Sequence, residues 1–201
     1  MPKELLKISH PCGNTMANAD LLPGDTLLDL ASGAGLDCFI ASGTVGNDGK
    51  VYGLELTKEM LGKAIEFRRQ LDIKNVQFLH GDMEQIPMEN GSVDVVTINC
   101  GLSLVSNKER VLAEIARVLT TNGYFVAADV TSKKPVPREL REDADAWSWC
   151  VGGCLTIKEW EGLLKRYFTK FDIRTLQQYP VDIDDKTKIT FETVLIKAYS
   201  R

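Results

Sequence analysis

The sequence predicts a doubly wound α/β fold, in which a seven-stranded, mostly parallel sheet carries helices on both faces and ends in an antiparallel strand pair. Three observations predict it. Short apolar runs bounded by Gly, Asp and Asn alternate with helical patterns, which implies parallel strands joined by crossover helices. A turn rich in small residues follows the first run, where such a sheet must bend sharply into its first helix. Two last apolar runs, "FDIRTLQQY" and "ITFETVLIKAY", read as a closing antiparallel pair.

Five parallel-strand candidates come in order: "TLLDLA" (26 to 31), "KVYGLEL" (50 to 56), "VQFLHG" (76 to 81), "VDVVTIN" (93 to 99) and "YFVAADV" (124 to 130). Between the second and third, "TKEMLGKAIEFRRQL" opens with Thr57 as an N-cap and repeats apolar residues at Met60, Leu61, Ala64, Ile65 and Phe67. Between the fourth and fifth, "KERVLAEIARVL" repeats them at Val111, Leu112, Ile115, Val118 and Leu119. A Pro-rich, charged connection, "TSKKPVPRELRED", leads to a helical stretch after residue 138. "TIKEWEGLLKRYF" follows, with Thr156 and Glu159 spaced as a capping box.

The chain of 201 residues, 44% of them hydrophobic, is long enough for one sizeable core. We therefore expect a single domain over 1–201, with residues 132–170 forming a helical elaboration at the substrate site. A net charge of −4, with lysines and arginines scattered through the helices, leaves no basic stripe to neutralise a phosphate backbone, so nucleic acid is excluded as a partner. The start "MPKELLKISHPCG" lacks the apolar run of a signal peptide, and no stretch approaches the roughly 20 apolar residues of a membrane span. The expected setting is the cytoplasm, without a membrane, as a monomer or homodimer. Five cysteines (12, 38, 100, 150 and 154) are odd in number and widely spread, so the expectation is mostly free thiols.

The first turn, "LLDLASGAGLDC", carries the strongest chemical signal. Asp29 ends the first strand, and small residues follow at Ala31, Gly33 and Gly35, with Ser32 between them. This is the carboxyl end of the first strand, where Rossmann-like sheets hold nucleotide-like ligands. A dinucleotide loop wants G-x-G-x-x-G, and here Cys38 stands at the third glycine, against a nicotinamide-dependent oxidoreductase. Acid-x-small-x-Gly-x-Gly instead resembles the first motif of the class I S-adenosylmethionine-dependent methyltransferases. An adenosyl ligand then makes demands at the later strand ends. Glu55, 22 residues after Gly33 and followed by Leu56, is placed to accept from both ribose hydroxyls. In "HGDMEQIP", Asp82 accepts from the adenine amino group and Met83 packs on the ring, or the two are a solvated turn acid and a core methionine. Asn99 and Cys100 end the fourth strand where nucleic-acid amino methylases carry Asn-Pro-Pro-aromatic. Cys100 either touches the ligand or is a buried inert thiol. Asp129, ending the fifth strand, either faces the pocket or caps a helix.

The resemblance narrows further. "LLDLASGAGLDC", "LTKEM", "INCGLSLVSNKERVLAEIARVL", "ADV" and "WCVGG" together are similar to the arsenite methyltransferases, from about Cys12 to the helix after Thr156. That family has a cysteine in an Asp-Cys pair after the Gly loop, matched by Asp37 and Cys38. Another lies in a Tyr-Gly-Cys-Gly segment, matched by Cys12 of "HPCG" with the first two residues changed. A third precedes a small-residue pair, matched by Cys150 of "CVGG". The resemblance implies that S-adenosylmethionine is the cofactor and that Cys150 binds trivalent arsenic as thiolate. Cys12 and Cys38 would be further thiols or a redox pair that restores the metalloid to its trivalent state, served by a cellular thiol reductant. Sulfur ligands suit so soft a centre.

One departure stands out. The longer family members carry a final cysteine ahead of the last strand, and "DDKTKITFE" has none. Cys154, four residues beyond Cys150, is the substitute. Either the arsenic site is rebuilt from Cys150, Cys154 and Cys38, or the acceptor is another small molecule: a thiol, another metalloid or an organic ring compound. Trp147 and Trp149 are candidate walls against water or plain core aromatics, and Gly152 and Gly153 are expected to let the backbone turn Cys150 toward the cofactor. A structural zinc site fits poorly, because only His10, His80 and isolated cysteines lie beyond Cys150 and Cys154. A non-catalytic sensor of cofactor or metalloid would keep the same residues without turnover.

Overall fold

The computed structural model describes residues 1–182 and 188–201. The beginning of "DDKTKITFE", residues 184–187, lies outside the described residues. After a short helix α1 (Lys3–Ile8) and a single 3-10 turn (Met16–Asn18), the chain runs β1 (Thr26–Leu30), α2 (Leu36–Val45), β2 (Lys50–Glu55), α3 (Lys58–Gln70) and β3 (Val76–His80). It then crosses to β4 (Val93–Asn99), a second 3-10 turn (Leu102–Leu104), α4 (Lys108–Val118) and β5 (Leu119–Ser132). Three helices follow, α5 (Arg138–Arg141), α6 (Ala144–Ser148) and α7 (Ile157–Tyr167), before β6 (Lys170–Asp182) and β7 (Lys188–Tyr199).

The strands form one seven-stranded sheet in the order β3-β2-β1-β4-β5-β7-β6. Pairs among β1 to β5 are parallel, and β7 is antiparallel to both β5 and β6, as the sequence predicts. Alternate residues explain why helices cover both faces. Leu27, Val51 and Val95 point into a core with Phe39, Ala41 and Phe67 from α2 and α3. Their neighbours Leu28, Leu30, Val96 and Ile98 point the other way, onto Leu112, Ile115, Trp160 and Leu164 of α4 and α7. The chain winds outward from β1 to β3 and returns beside β1 with β4, so a crevice opens between the carboxyl ends of β1 and β4.

Local signals read well. Thr156 forms a capping box, its hydroxyl accepting from Glu159 N at 3.3 Å while Glu159 Oε2 accepts from Thr156 N at 2.7 Å. Thr57 stands at the N-cap of α3, but its side chain makes no capping bond; its amide is instead held by Glu55 Oε1 at 2.8 Å. The fifth strand starts at Leu119 rather than 124, through a register shift opposite Val93 and Val95. No helix among the described residues is long and apolar enough to cross a membrane.

Candidate active site

The small-residue turn leaves β1 with Ala31, Gly33 and Gly35 all at positive φ (54°, 54° and 88°). That conformation suits the small residues there, since the two glycines take it without a β-carbon to crowd the backbone and Ala31 brings only a methyl group to it. The two glycines serve different neighbours. A Cβ on Gly35 would lie 2.5 Å from Phe78 Cζ, so Gly35 lets α2 pack on β3. A Cβ on Gly33 would meet only Met60 Cε at 3.7 Å, which leaves the Gly33 backbone facing open space. Glu55 fixes this turn, its Oε2 accepting from Gly33 N at 2.9 Å while Oε1 holds Thr57.

Two hollows meet at Ala31 and Leu104 above the crevice. One, about 330 Å³, is walled by Glu55, Leu56, Asp82, Met83 and Gly101. Its neighbour, about 360 Å³, is walled by Asp29, Ser32, Gly33, Asn99, Cys100 and Cys150. Leu56 and Leu104 are 61% and 47% exposed, apolar side chains left uncovered beside a buried carboxylate. Asp82 is exposed, its Oδ1 accepting from Glu84 N at 2.9 Å, and Met83 packs partly against the core. Larger hollows around Lys50 and Tyr52 open at the amino ends of the strands and carry none of the predicted residues.

Asp29 lies under the turn rather than in the open. It is 3% exposed, accepting from Thr97 Oγ1 at 2.7 Å and facing Cys38 Sγ at 3.6 Å. Burial, with the charge of Asp37 adding to it, holds its carboxyl well above the usual carboxylate range. Cys38 is fully buried, and the same burial beside Asp29 pushes its thiol up. It packs in the α2 core, away from the wall that carries Cys100 and Cys150.

Asn99 acts as a clasp. Its Oδ1 accepts from Cys12 N (3.0 Å) and Gly13 N (3.3 Å), while Nδ2 donates to Gly13 O (2.9 Å) and Asp37 Oδ2 (3.0 Å). The segment after α1 is thereby drawn across the carboxyl ends of the strands. Gly13 permits this, since a Cβ there would lie 2.8 Å from Ala128 Cβ. The result places Cys12 against Cys100, and the two form a disulfide. Of the two roles expected for Cys12 and Cys38, further thiols or a redox pair, the pair is not formed: Cys38 is a free thiol facing the core, and Cys100 faces the clasped segment.

Cys150 Sγ lies 3.7 Å from Cys100 Sγ and is half-buried. Burial raises its thiol pKa, the Ser103 hydroxyl opposes that, and the Asp129 charge reinforces it. Cys154 does not turn its sulfur to Cys150. It is 1% exposed, and its Sγ donates to the carbonyls of Cys150 (2.9 Å) and Val130 (3.3 Å). Gly152 and Gly153 make room for a neighbour rather than turning the chain. A Cβ on Gly152 would lie 2.6 Å from Trp147 Cδ1, and one on Gly153 would overlap the Ser103 carbonyl oxygen. Cys150 itself takes the turn, at φ 60°. Trp147 is half-buried with its Nε1 donating to Arg141 O at 2.7 Å, whereas Trp149 is 79% exposed and walls nothing off.

Asp129 takes the capping role. Its carboxylate accepts from Leu102 N, Ser103 Oγ (both 2.6 Å) and Val130 N (2.7 Å), which pins the 3-10 turn next to Cys150. Ser103 and Leu104 are site residues that sequence reasoning missed. Three residues of 3-10 helix have no periodicity to read; the adjacent Cys100 was the available signal.

A model of the methyltransferase domain family matches residues 21–172. The chain belongs to the methyltransferase domain family. This methyltransferase domain is 40% identical over 153 residues to an arsenite methyltransferase of Halobacterium salinarum, covering 76% of this chain and 39% of that relative. It is 34% identical over 199 residues to an arsenite methyltransferase of Aquipseudomonas alcaligenes, covering 91% and 56%. The chain therefore spans between about two fifths and just over half of these relatives. Among solved structures, an arsenic (III) S-adenosylmethionine methyltransferase from Chlamydomonas reinhardtii superposes with a TM-score of 0.84 at 27% identity, covering all of this chain and 71% of that one. The fold is that of the class I S-adenosylmethionine-dependent methyltransferases. The residues fit that cofactor's adenosyl group: a buried acid for two hydroxyls, exposed apolar side chains for a flat ring, and an exposed acid for an amino group.

Proposed function

We propose that the chain transfers a methyl group from S-adenosylmethionine to trivalent arsenic held as a thiolate by Cys150. The observation that carries this is one cavity wall with both the open Gly33 backbone and the sulfurs of Cys100 and Cys150. The arsenite methyltransferases that the chain resembles support the acceptor.

S-adenosylmethionine, when bound, supplies a methyl group already activated on a sulfonium. The protein therefore has to position more than to activate. Glu55 would hold the ribose, with Leu56, Met83 and Leu104 on the adenine and Asp82 at its amino group. Gly33, Ala31 and Ser32 would present backbone to the rest of the molecule. Cys150 binds the acceptor and aims it along the cavity wall. The raised pKa of its thiol is no obstacle, because each thiol proton leaves with an arsenite hydroxyl as water when the arsenic–sulfur bond forms. The arsenic lone pair is the nucleophile, so no general base is required. Asp129 and Ser103 position the turn against which Cys150 rests. A cellular thiol reductant, which would open the Cys12–Cys100 disulfide, and a cytoplasmic setting belong to this reading.

The test is Cys150→Ser, measured for cofactor affinity and for methylation of arsenite separately. The reading expects unchanged cofactor affinity and loss of methylarsenical product. Full activity in the variant removes Cys150 from the mechanism.

A further inference from the structure

The helical segment after β5 meets α4 around a hollow of about 520 Å³ that the proposed methyl transfer does not use. Its wall includes Lys108 at the start of α4, Arg141 at the end of α5, Trp147 of α6 and Gly153, with Leu155 and Leu163 as an apolar side. Two cations line it without a counter-charge. Lys108 is 7% exposed, its Nζ donating to Val105 O at 2.6 Å and standing 5.6 Å from the centre of the Trp147 ring. Neither partner is an acid, and Lys108 makes no ion pair among the described residues. Arg141 is exposed and donates through Nε to Val136 O at 3.0 Å, which leaves the Nη1 and Nη2 end of its fork without a partner among the described residues.

The carboxylates within reach are engaged elsewhere. Glu109, on the same wall, is held by Arg166 and by the Tyr167 hydroxyl. Asp129 accepts from Leu102 N, Ser103 Oγ and Val130 N. Burial accordingly holds the Lys108 ammonium below its usual range; the charge of Asp129 opposes this and that of Arg141 adds to it. A buried ammonium is costly unless its charge is matched, and a second cation nearby raises that cost. The hollow is thus one half of an ion pair.

We propose that this hollow binds a phosphate group, free or carried by a small organic molecule, and that the bound group braces the turn that presents Cys150. A dianion matches the two charges. The open end of the Arg141 fork suits two oxygens of one tetrahedral group, and Lys108 acts as a point charge on a third. Trp147, Leu155 and Leu163 offer an apolar surface to any organic part. The brace follows from where the cations stand. Lys108 belongs to α4, packed on the sheet, whereas Arg141 belongs to the segment that leads to Cys150: Arg141 O accepts from Trp147 Nε1 at 2.7 Å, and Trp147 O accepts from Cys150 N at 2.9 Å. An anion shared by Lys108 and Arg141 ties that segment to the body of the fold. The inference is independent of the methyl acceptor.

The experiment is calorimetric titration of the purified chain with inorganic phosphate and, separately, with phenyl phosphate, at fixed ionic strength with chloride as the competing anion. The expected result is one site with a Kd of about 1 mM or lower for at least one probe. Phenyl phosphate binding about tenfold or more tighter than phosphate identifies an organic phosphate as the occupant, and equal affinity identifies the free ion. Arg141→Ala and Lys108→Met should each weaken binding about tenfold or more, while Arg141→Lys keeps most of it. Circular dichroism confirms folding, and the exposed Arg141 pair decides the matter should Lys108→Met misfold. Saturating probe should also slow alkylation of Cys150 in the wild type and leave the rate in Arg141→Ala unchanged. Neither probe binding at about 10 mM, or a Kd unchanged in Arg141→Ala and in folded Lys108→Met, overturns the proposal. An alkylation rate in the wild type that ignores saturating probe overturns it as well.

Discussion

Gly153→Ala is the sharpest perturbation of the segment that presents Cys150. An added Cβ would overlap the Ser103 carbonyl oxygen and lie 2.7 Å from Trp147 Cζ3 and 3.0 Å from Cη2. The Ser103 carbonyl belongs to the 3-10 turn that Asp129 pins through Leu102 N, Ser103 Oγ and Val130 N, so it cannot yield cheaply. Overpacking of this kind costs about 1 to 3 kcal/mol. At roughly 2 to 4 °C per kcal/mol for a chain this long, the thermal midpoint should fall by about 2 to 12 °C. Gly162 is the matched control. It lies within α7 with nothing within 4 Å of its added Cβ, so Gly162→Ala should stabilise by about 0.5 to 1 kcal/mol. The assay is a thermal melt by circular dichroism of the two variants beside wild type, with the rate of Cys150 alkylation measured in each. Gly153→Ala should both melt earlier and alkylate faster, because the turn that half-buries the thiol is displaced. A Gly153→Ala protein that melts with wild type and alkylates at the wild-type rate would refute the packing account of the Cys150 turn.

Two further predictions follow from individual side chains. Glu55→Gln places an amide nitrogen against a backbone N–H, of Gly33 or of Thr57, and removes the charge offered to the ribose; cofactor Kd by calorimetry should rise about tenfold to a hundredfold, since hydrogen bonds to a charged group contribute about 1.5 to 3 kcal/mol. An unchanged Kd would remove Glu55 from the cofactor site. Because burial raises the Cys150 thiol pKa, less of it is thiolate at any given pH than in an ordinary cysteine. Its alkylation rate should therefore keep rising above about pH 8.5, where an unperturbed thiol is already half ionised, and should revert to the ordinary profile in urea. A rate that levels off at or below that pH would contradict the burial argument.

The parts of the site that were legible in the sequence are those fixed locally. Ala31, Gly33 and Gly35 announce a turn because only small residues tolerate three positive φ values in five positions. Glu55 announces itself by standing at the end of a strand, and Thr156 and Glu159 by the three-residue spacing of their reciprocal bonds. The cysteine partners are different, because they depend on which way a side chain points. Asp37 and Cys38 are adjacent on α2, so about 100° of rotation separates them: Asp37 reaches Asn99 while Cys38 enters the core. The Cys12 to Cys100 contact spans 88 residues and is set by Asn99 reaching back to a segment ahead of β1, which no pattern within either stretch encodes. Cys150 and Cys154 have helical spacing but no helix between them: Cys154 N donates to Val151 O in a turn, and the second sulfur goes to the first residue's carbonyl.

The central claim is methyl transfer to arsenic, and the measurement that tests it most directly is incubation of the purified chain with methyl-labelled S-adenosylmethionine, arsenite and excess reduced thiol, followed by separation of arsenical species. The account predicts label in methylarsenicals, dependent on both arsenite and the folded chain. Tight binding of the cofactor with all label left on it in the presence of arsenite would contradict the account.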